Sequence, residues 1–277
     1  MSGYDPYDPH EGRQAPEEHY YNPIKQPGWR EVARKIWAPL VATGAFLLKF
    51  GAVLFKLKVF ATAGTMLVSI AAYSFVFGWR FAVGFVVLLL VHEMGHVIEL
   101  RRQGIPASAP LFIPFLGAVV GMKQMPQNAW HEAKVALAGP ILGTAGAGAV
   151  WAAAVAYDSE LLRALAFTGF FLNLFNLLPI VPLDGGRAVA ALHPALWLVG
   201  LAGLGLLTYL HPNPILIIII IFGALELWRR WQARRAGYQP EYYRVEPAQR
   251  VLVALVYVGV AVACAIGMTY THVEKTF

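Results

Sequence analysis

The stretch LLLVHEMGHVIEL, from Leu88 to Leu100, places His92, Glu93 and His96 inside a run of residues otherwise suited to lipid. Ionisable side chains at the centre of a membrane helix cost about 2.5–3.5 kcal/mol each on insertion scales, so they persist there only with a task. On a helix, positions four apart project about 40° from one another on adjacent turns, so the imidazoles of His92 and His96 can reach one metal ion. Glu93 is rotated by about 100° from His92 and lies beside such an ion without having to bind it. In H-E-x-x-H the two histidines hold Zn2+ and the glutamate serves as general base.

The rest of the chain supports a membrane setting. Its 277 residues are 58% hydrophobic and 14% charged, with a mean hydropathy of +0.55. Soluble domains are nearer half apolar and a quarter charged. The apolar residues fall in runs long enough to cross about 30 Å of hydrocarbon, so the expected fold class is an all-α polytopic membrane protein. The net charge of +6 does not indicate nucleic acid as a partner, because the arginines sit at the ends of apolar runs, as membrane anchors do. The single cysteine, Cys264, lies inside such a run, which excludes an intrachain disulfide or a thiolate metal site. The first thirty or so residues lack an apolar core, so no cleaved signal peptide is expected and the first membrane helix acts as a signal anchor.

Residues 1–35 read as a disordered cytoplasmic tail rich in Pro, Tyr and acidic residues. Residues 36–58 read as an interfacial amphipathic helix, because Lys49 and Lys56 share a face. Residues 59–187 form the expected core of three to four helices, and residues 188–277 the C-terminal membrane helices. Six to seven spans are expected: Val59–Phe77, Phe81–Leu100, Val135–Tyr157, Leu161–Pro179, Ala188–Leu210, a short Pro214–Trp228 and Val251–Tyr270. Loop cations gather on one side, among them Arg101, Arg102, Lys123, Lys134 and Arg187, which puts the amino terminus and that side in the cytoplasm.

Between the second and third spans, residues 106–126 are apolar but broken by four prolines and by Gly117 and Gly121, against helix. LFIPFLG and AVVGMK have strand composition, so a membrane-embedded β-hairpin is expected, with a cavity or protein around its polar backbone.

A catalytic zinc takes three protein ligands, which leaves one to find. Glu99 is three residues after His96 but a turn further down and beside Arg101 and Arg102, which favours pairing with those arginines. Asp184, in NLLPIVPLDGG from Asn176 to Gly186, is the stronger choice. Pro179 and Pro182 end the helix, Gly185 and Gly186 allow a sharp turn, and the carboxylate is expected on unwound backbone at the same membrane side as His96.

HEMGH at His92–His96 together with NLLPIVPLDGG at Asn176–Gly186 resembles the site-2 protease family of intramembrane zinc metalloproteases (peptidase family M50), over roughly Val59 to Arg187. ALAGPILG at Ala136–Gly143 is similar to that family's third core helix. The resemblance implies His92, His96 and Asp184 as ligands of one Zn2+ per chain, Glu93 as catalytic base, and Asn176 as a substrate or transition-state contact. It also implies a compact form without PDZ or CBS domains, with transmembrane segments of other proteins as substrates and the lipid bilayer as surroundings.

Other features have plainer readings. Gly139, Gly143 and Gly146 form a small-residue face suited to close helix packing, with homodimerisation the lesser alternative. His131 and Glu132 repeat the start of the zinc motif but have Val135 where a second histidine would stand, so they read as a polar entry to the third helix. Asn173, one turn before Asn176, reads as an interhelical bridge, with a part in orienting the site the lesser alternative.

Overall fold

A computed structural model describes residues 60–115, 117–193, 195–235 and 241–272. The expected tail at 1–35 and interfacial helix at 36–58 lie outside the described residues. Among those described, α1 (Phe60–Phe77), α2 (Trp79–Arg102), α3 (Ala129–Ala156) and α8 (Pro247–Thr271) are long and apolar enough to cross a membrane. Between them lie β1 (Leu111–Ile113), β2 (Gly117–Val119), α4 (Glu160–Asn176), α5 (Asp184–Val189), α6 (Leu196–Leu210), α7 (Pro214–Arg235) and a 3-10 turn at Glu241–Tyr243.

Helix boundaries follow local chemistry. Gly78, at φ 81°, separates α1 from α2. At the other end of α2, Gly104 adopts φ 73°, its N–H bonds the Arg101 carbonyl and the Ile105 N–H bonds the Leu100 carbonyl. This is a Schellman ending, and its hydrophobic contact is present because Leu100 and Ile105 are buried together with Val135. Asn128 caps α3 by accepting from the His131 N–H.

The bundle packs by close approach. Apolar helices gain little by leaving lipid for one another, so small residues and van der Waals contact must hold them. A side chain at Gly95 would run into the Ala138 carbonyl, which shows how tightly α2 lies on α3. Large apolar residues face outward instead, with Phe75 93% and Tyr209 82% exposed, as a lipid-facing perimeter requires.

The expected hairpin is present. β1 and β2 pair antiparallel, with Phe112 opposite Ala118, and Phe112 is buried against Tyr73, Ala82, Val86 and Leu89. α1 holds it in place, since Thr65 Oγ1 accepts from the Phe112 N–H at 3.3 Å and Tyr73 Oη accepts from the Phe115 N–H at 3.1 Å.

Three boundaries differ from the sequence reading. The expected span Ala188–Leu210 is divided, with helix from Asp184 to Val189 and again from Leu196. The proline at sequence position 194 cannot sustain a continuous hydrogen-bond ladder there. α7 runs beyond Trp228 to Arg235, because Arg230 turns inward to pair with Glu226 at 2.9 Å and to lie 5.0 Å over the Trp197 ring. Asp184 opens α5 and is not on unwound backbone.

Candidate metal centre

α2 presents His92 and His96 from successive turns toward the first turn of α5. His92 Nε2 and His96 Nε2 each lie 3.1 Å from Asp184 Oδ2 and 3.2 Å from one another. His92, His96 and Asp184 together form a group that could hold one metal ion.

The outer nitrogens of both rings decide what the inner ones can do. Asn173 Nδ2 donates to the Gly169 carbonyl at 2.7 Å, so its Oδ1 is the atom that faces His92 Nδ1 at 2.8 Å. That oxygen can only accept, which fixes the proton on His92 Nδ1. The Val135 carbonyl does the same for His96 Nδ1 at 2.8 Å. With both protons held outward, neutral imidazoles turn their Nε2 lone pairs toward the Asp184 oxygen. Three electron-rich atoms crowded at 3.1–3.2 Å repel one another without a cation between them. Zn2+ binds His nitrogen and carboxylate oxygen at about 2.0–2.2 Å, and tetrahedral ligands at that range stand roughly 3.3 Å apart. The donor set therefore fits zinc in both chemistry and spacing.

The backbone behind Asp184 explains its sequence. Added side chains at Gly185 and Gly186 would collide with the Leu177 and Ile180 carbonyl groups, so the glycine pair lets the start of α5 stack on the end of α4. Gly200 of α6 and Gly223 of α7 approach the same stretch, against Pro179 and against Ile180 and Val181. On α3, a side chain at Gly139 would strike the His96 ring, and one at Gly143 the Asn173 amide. The small-residue face thus makes room for the site.

Glu93 is buried beside the group, 7% exposed, and its carboxylate has no hydrogen-bond partner among the described residues. Asn176 closes α4, half-buried, with its amide likewise unpartnered among the described residues. Glu99 lies apart from the group and accepts from Gln103 Nε2 at 3.0 Å, so it pairs with neither Arg101 nor Arg102. Of the two readings of Asn173, the site-orienting one is the arrangement found, because it partners His92; the sequence reading missed Glu132, a buried carboxylate that binds Arg187 at 3.3 Å. An acidic residue one turn inside an apolar helix was the available signal for Glu132.

A helical membrane bundle that buries an H-E-x-x-H helix against a carboxylate from another element defines a class, the membrane-embedded metal-site proteins. Residues 80–159 match the model of Peptidase family M50, the family that the chain's motifs resemble. Rip3 of Mycobacterium tuberculosis, assigned by name to the zinc metalloproteases, is 34% identical over 137 residues, covering 44% of this chain and 34% of Rip3. The zinc metalloprotease MJ0392 of Methanocaldococcus jannaschii is 28% identical over 111 residues, covering 38% of this chain and 32% of the relative. The aligned part of the chain thus spans about a third of the length of these curated relatives. Donor set and family agree on Zn2+ as the metal.

Proposed function

We propose that this protein is a zinc endopeptidase that hydrolyses peptide bonds within or beside transmembrane segments of other membrane proteins. The observation that carries this reading is the meeting of His92 Nε2, His96 Nε2 and Asp184 Oδ2 at 3.1–3.2 Å in a membrane bundle, with Glu93, unpartnered among the described residues, beside them. The names of the relatives point the same way. His92, His96 and Asp184 hold one Zn2+ per chain. When bound, the ion supplies Lewis acidity to a peptide carbonyl and brings the pKa of water toward about 7. Glu93 takes the proton of the attacking water and delivers it to the amine as the C–N bond breaks. Asn176 binds the substrate or the charge that develops on its carbonyl oxygen.

A helical substrate hides its carbonyls in hydrogen bonds and must unwind before attack. The hairpin offers a strand edge for the unwound stretch. Thr65 already engages β1 at Phe112, which leaves the outer edge of β2, packed near α2, as the docking strand. In the complete membrane fold, α4, α6 and α7 bring the crossings to six or seven, with the amino terminus and the metal centre toward the cytoplasmic side of the cell membrane. Membrane-tethered regulators and signal-peptide remnants are the substrate classes this topology serves.

The test is to purify the full chain in detergent, measure bound zinc, and follow cleavage of a model transmembrane peptide by wild type and Glu93→Gln. About one zinc per chain is expected in both, with cleavage lost in the variant. Equal cleavage by the two would remove Glu93 as the base.

A further inference from the structure

The two oxygens of Asp184 face different neighbours. Oδ2 faces the imidazoles, whereas Oδ1 lies 4.0 Å from Arg187 Nη1, one turn along α5. Arg187 is held from behind, because its Nε donates to Glu132 Oε1 at 3.3 Å. Glu132 is 2% exposed, and its other oxygen accepts from the Tyr242 hydroxyl at 2.7 Å. A carboxylate this deep is costly unless both oxygens are satisfied, and here a guanidinium takes one and a phenol the other. Burial, with the Glu132 carboxylate next to it, pushes the Tyr242 phenol above its ordinary range, so it stays a donor through the physiological range.

Tyr242 lies in the 3-10 turn before α8, outside the residues 80–159 matched by the family model. Two more aromatic donors from the C-terminal elements hold the same segment. Trp197 Nε1 of α6 donates to the Gly186 carbonyl at 2.7 Å, and Tyr257 Oη of α8 donates to the Leu177 carbonyl. Both carbonyls belong to helix ends that leave them without an intrahelical partner. The chain that delivers Asp184 is therefore gripped at Leu177 and Gly186 by elements that follow it in sequence, and at Arg187 by Glu132 of α3, which Tyr242 holds in turn.

We propose that Arg187 is a positioning residue for Asp184, anchored through Glu132 and Tyr242, so that the C-terminal elements set the affinity of the metal centre. The proposal rests on the zinc reading above. With its cation in place, Asp184 Oδ1 is held toward Arg187 and Oδ2 is left toward the histidines. Without the anchor, Arg187 is an unpaired cation free to swing beside a cationic metal, and Asp184 is free to rotate. Partners of this kind typically contribute about 10- to 100-fold to metal affinity.

The experiment uses the full chain in detergent, with Zn2+ affinity measured by competition against a chromophoric chelator and ligand geometry read from the visible spectrum of Co2+ in the same site. Wild type is compared with Arg187→Gln, Arg187→Lys and Tyr242→Phe, and the unfolding midpoint of each metal-free protein is recorded. Arg187→Gln is expected to lose about 10-fold or more in affinity and to alter the Co2+ spectrum, with Arg187→Lys recovering part of the loss. Tyr242→Phe keeps its ring in place and is expected to weaken binding in the same direction, which preserves the test if an Arg187 variant fails to fold. Unchanged affinity and spectra alongside lowered midpoints would make the network merely structural and overturn the proposal. A wild type that binds no zinc would defeat the zinc reading itself, and that arm is scored separately from the variants.

Discussion

At the scale of single residues, the centre depends on where two imidazole protons sit. Asn173 and the Val135 carbonyl hold them outward, which leaves both Nε2 lone pairs for a metal. Asn173→Ala removes the acceptor on His92 and is expected to weaken zinc binding by about 10- to 100-fold, measured by chelator competition. Asn173→Asp keeps an oxygen in place and should retain much of the affinity. Glu99→Gln is expected to leave zinc affinity within about twofold of wild type, because Glu99 belongs to Gln103 and not to the metal group. The histidines and Glu93 stood out in the sequence because a membrane helix makes ionisable residues conspicuous, and Asp184 because prolines and glycines frame it. Glu132 was equally conspicuous, but its meaning was not. Its partner Tyr242 is 110 residues away, and no local pattern joins them.

At the scale of elements, the α3 glycines separate two kinds of position. A side chain at Gly143 meets the Asn173 amide, whereas one at Gly148 meets open space. Gly148→Ala is therefore expected to be neutral or to stabilise by up to about 1 kcal/mol through helix propensity, and Gly143→Ala to lower both thermal stability and zinc affinity. Thermal unfolding with and without zinc checks both. The small-residue face was readable as a packing surface, but which groups it accommodates depends on helix rotation and partner, which spacing does not encode. The LDGG stretch shows the same limit. Its prolines mark where α4 stops, yet the glycines serve close stacking of α5 on α4, so Asp184 sits on a helical turn.

At the scale of the whole molecule, an apolar perimeter surrounds a small polar centre to which α2, α4, α5 and the C-terminal elements all contribute. Four membrane-length helices and the hairpin were legible from hydropathy and proline spacing, since lipid allows few backbone solutions. The break between α5 and α6 was signalled by the proline at sequence position 194, but the apolar residues on either side of it read as one span. A metal that ties separate elements together should stabilise the folded bundle. Zinc at about 100 times its dissociation constant is expected to add about 2.7 kcal/mol, seen as a higher unfolding temperature that a chelator reverses. The most direct test of the account is zinc-edge X-ray absorption of the purified full chain in detergent. Two imidazole nitrogens and a carboxylate oxygen at about 2.0–2.2 Å are expected, with the oxygen shell altered in Asp184→Asn. A zinc shell with no imidazole, or one indifferent to Asp184, would contradict it.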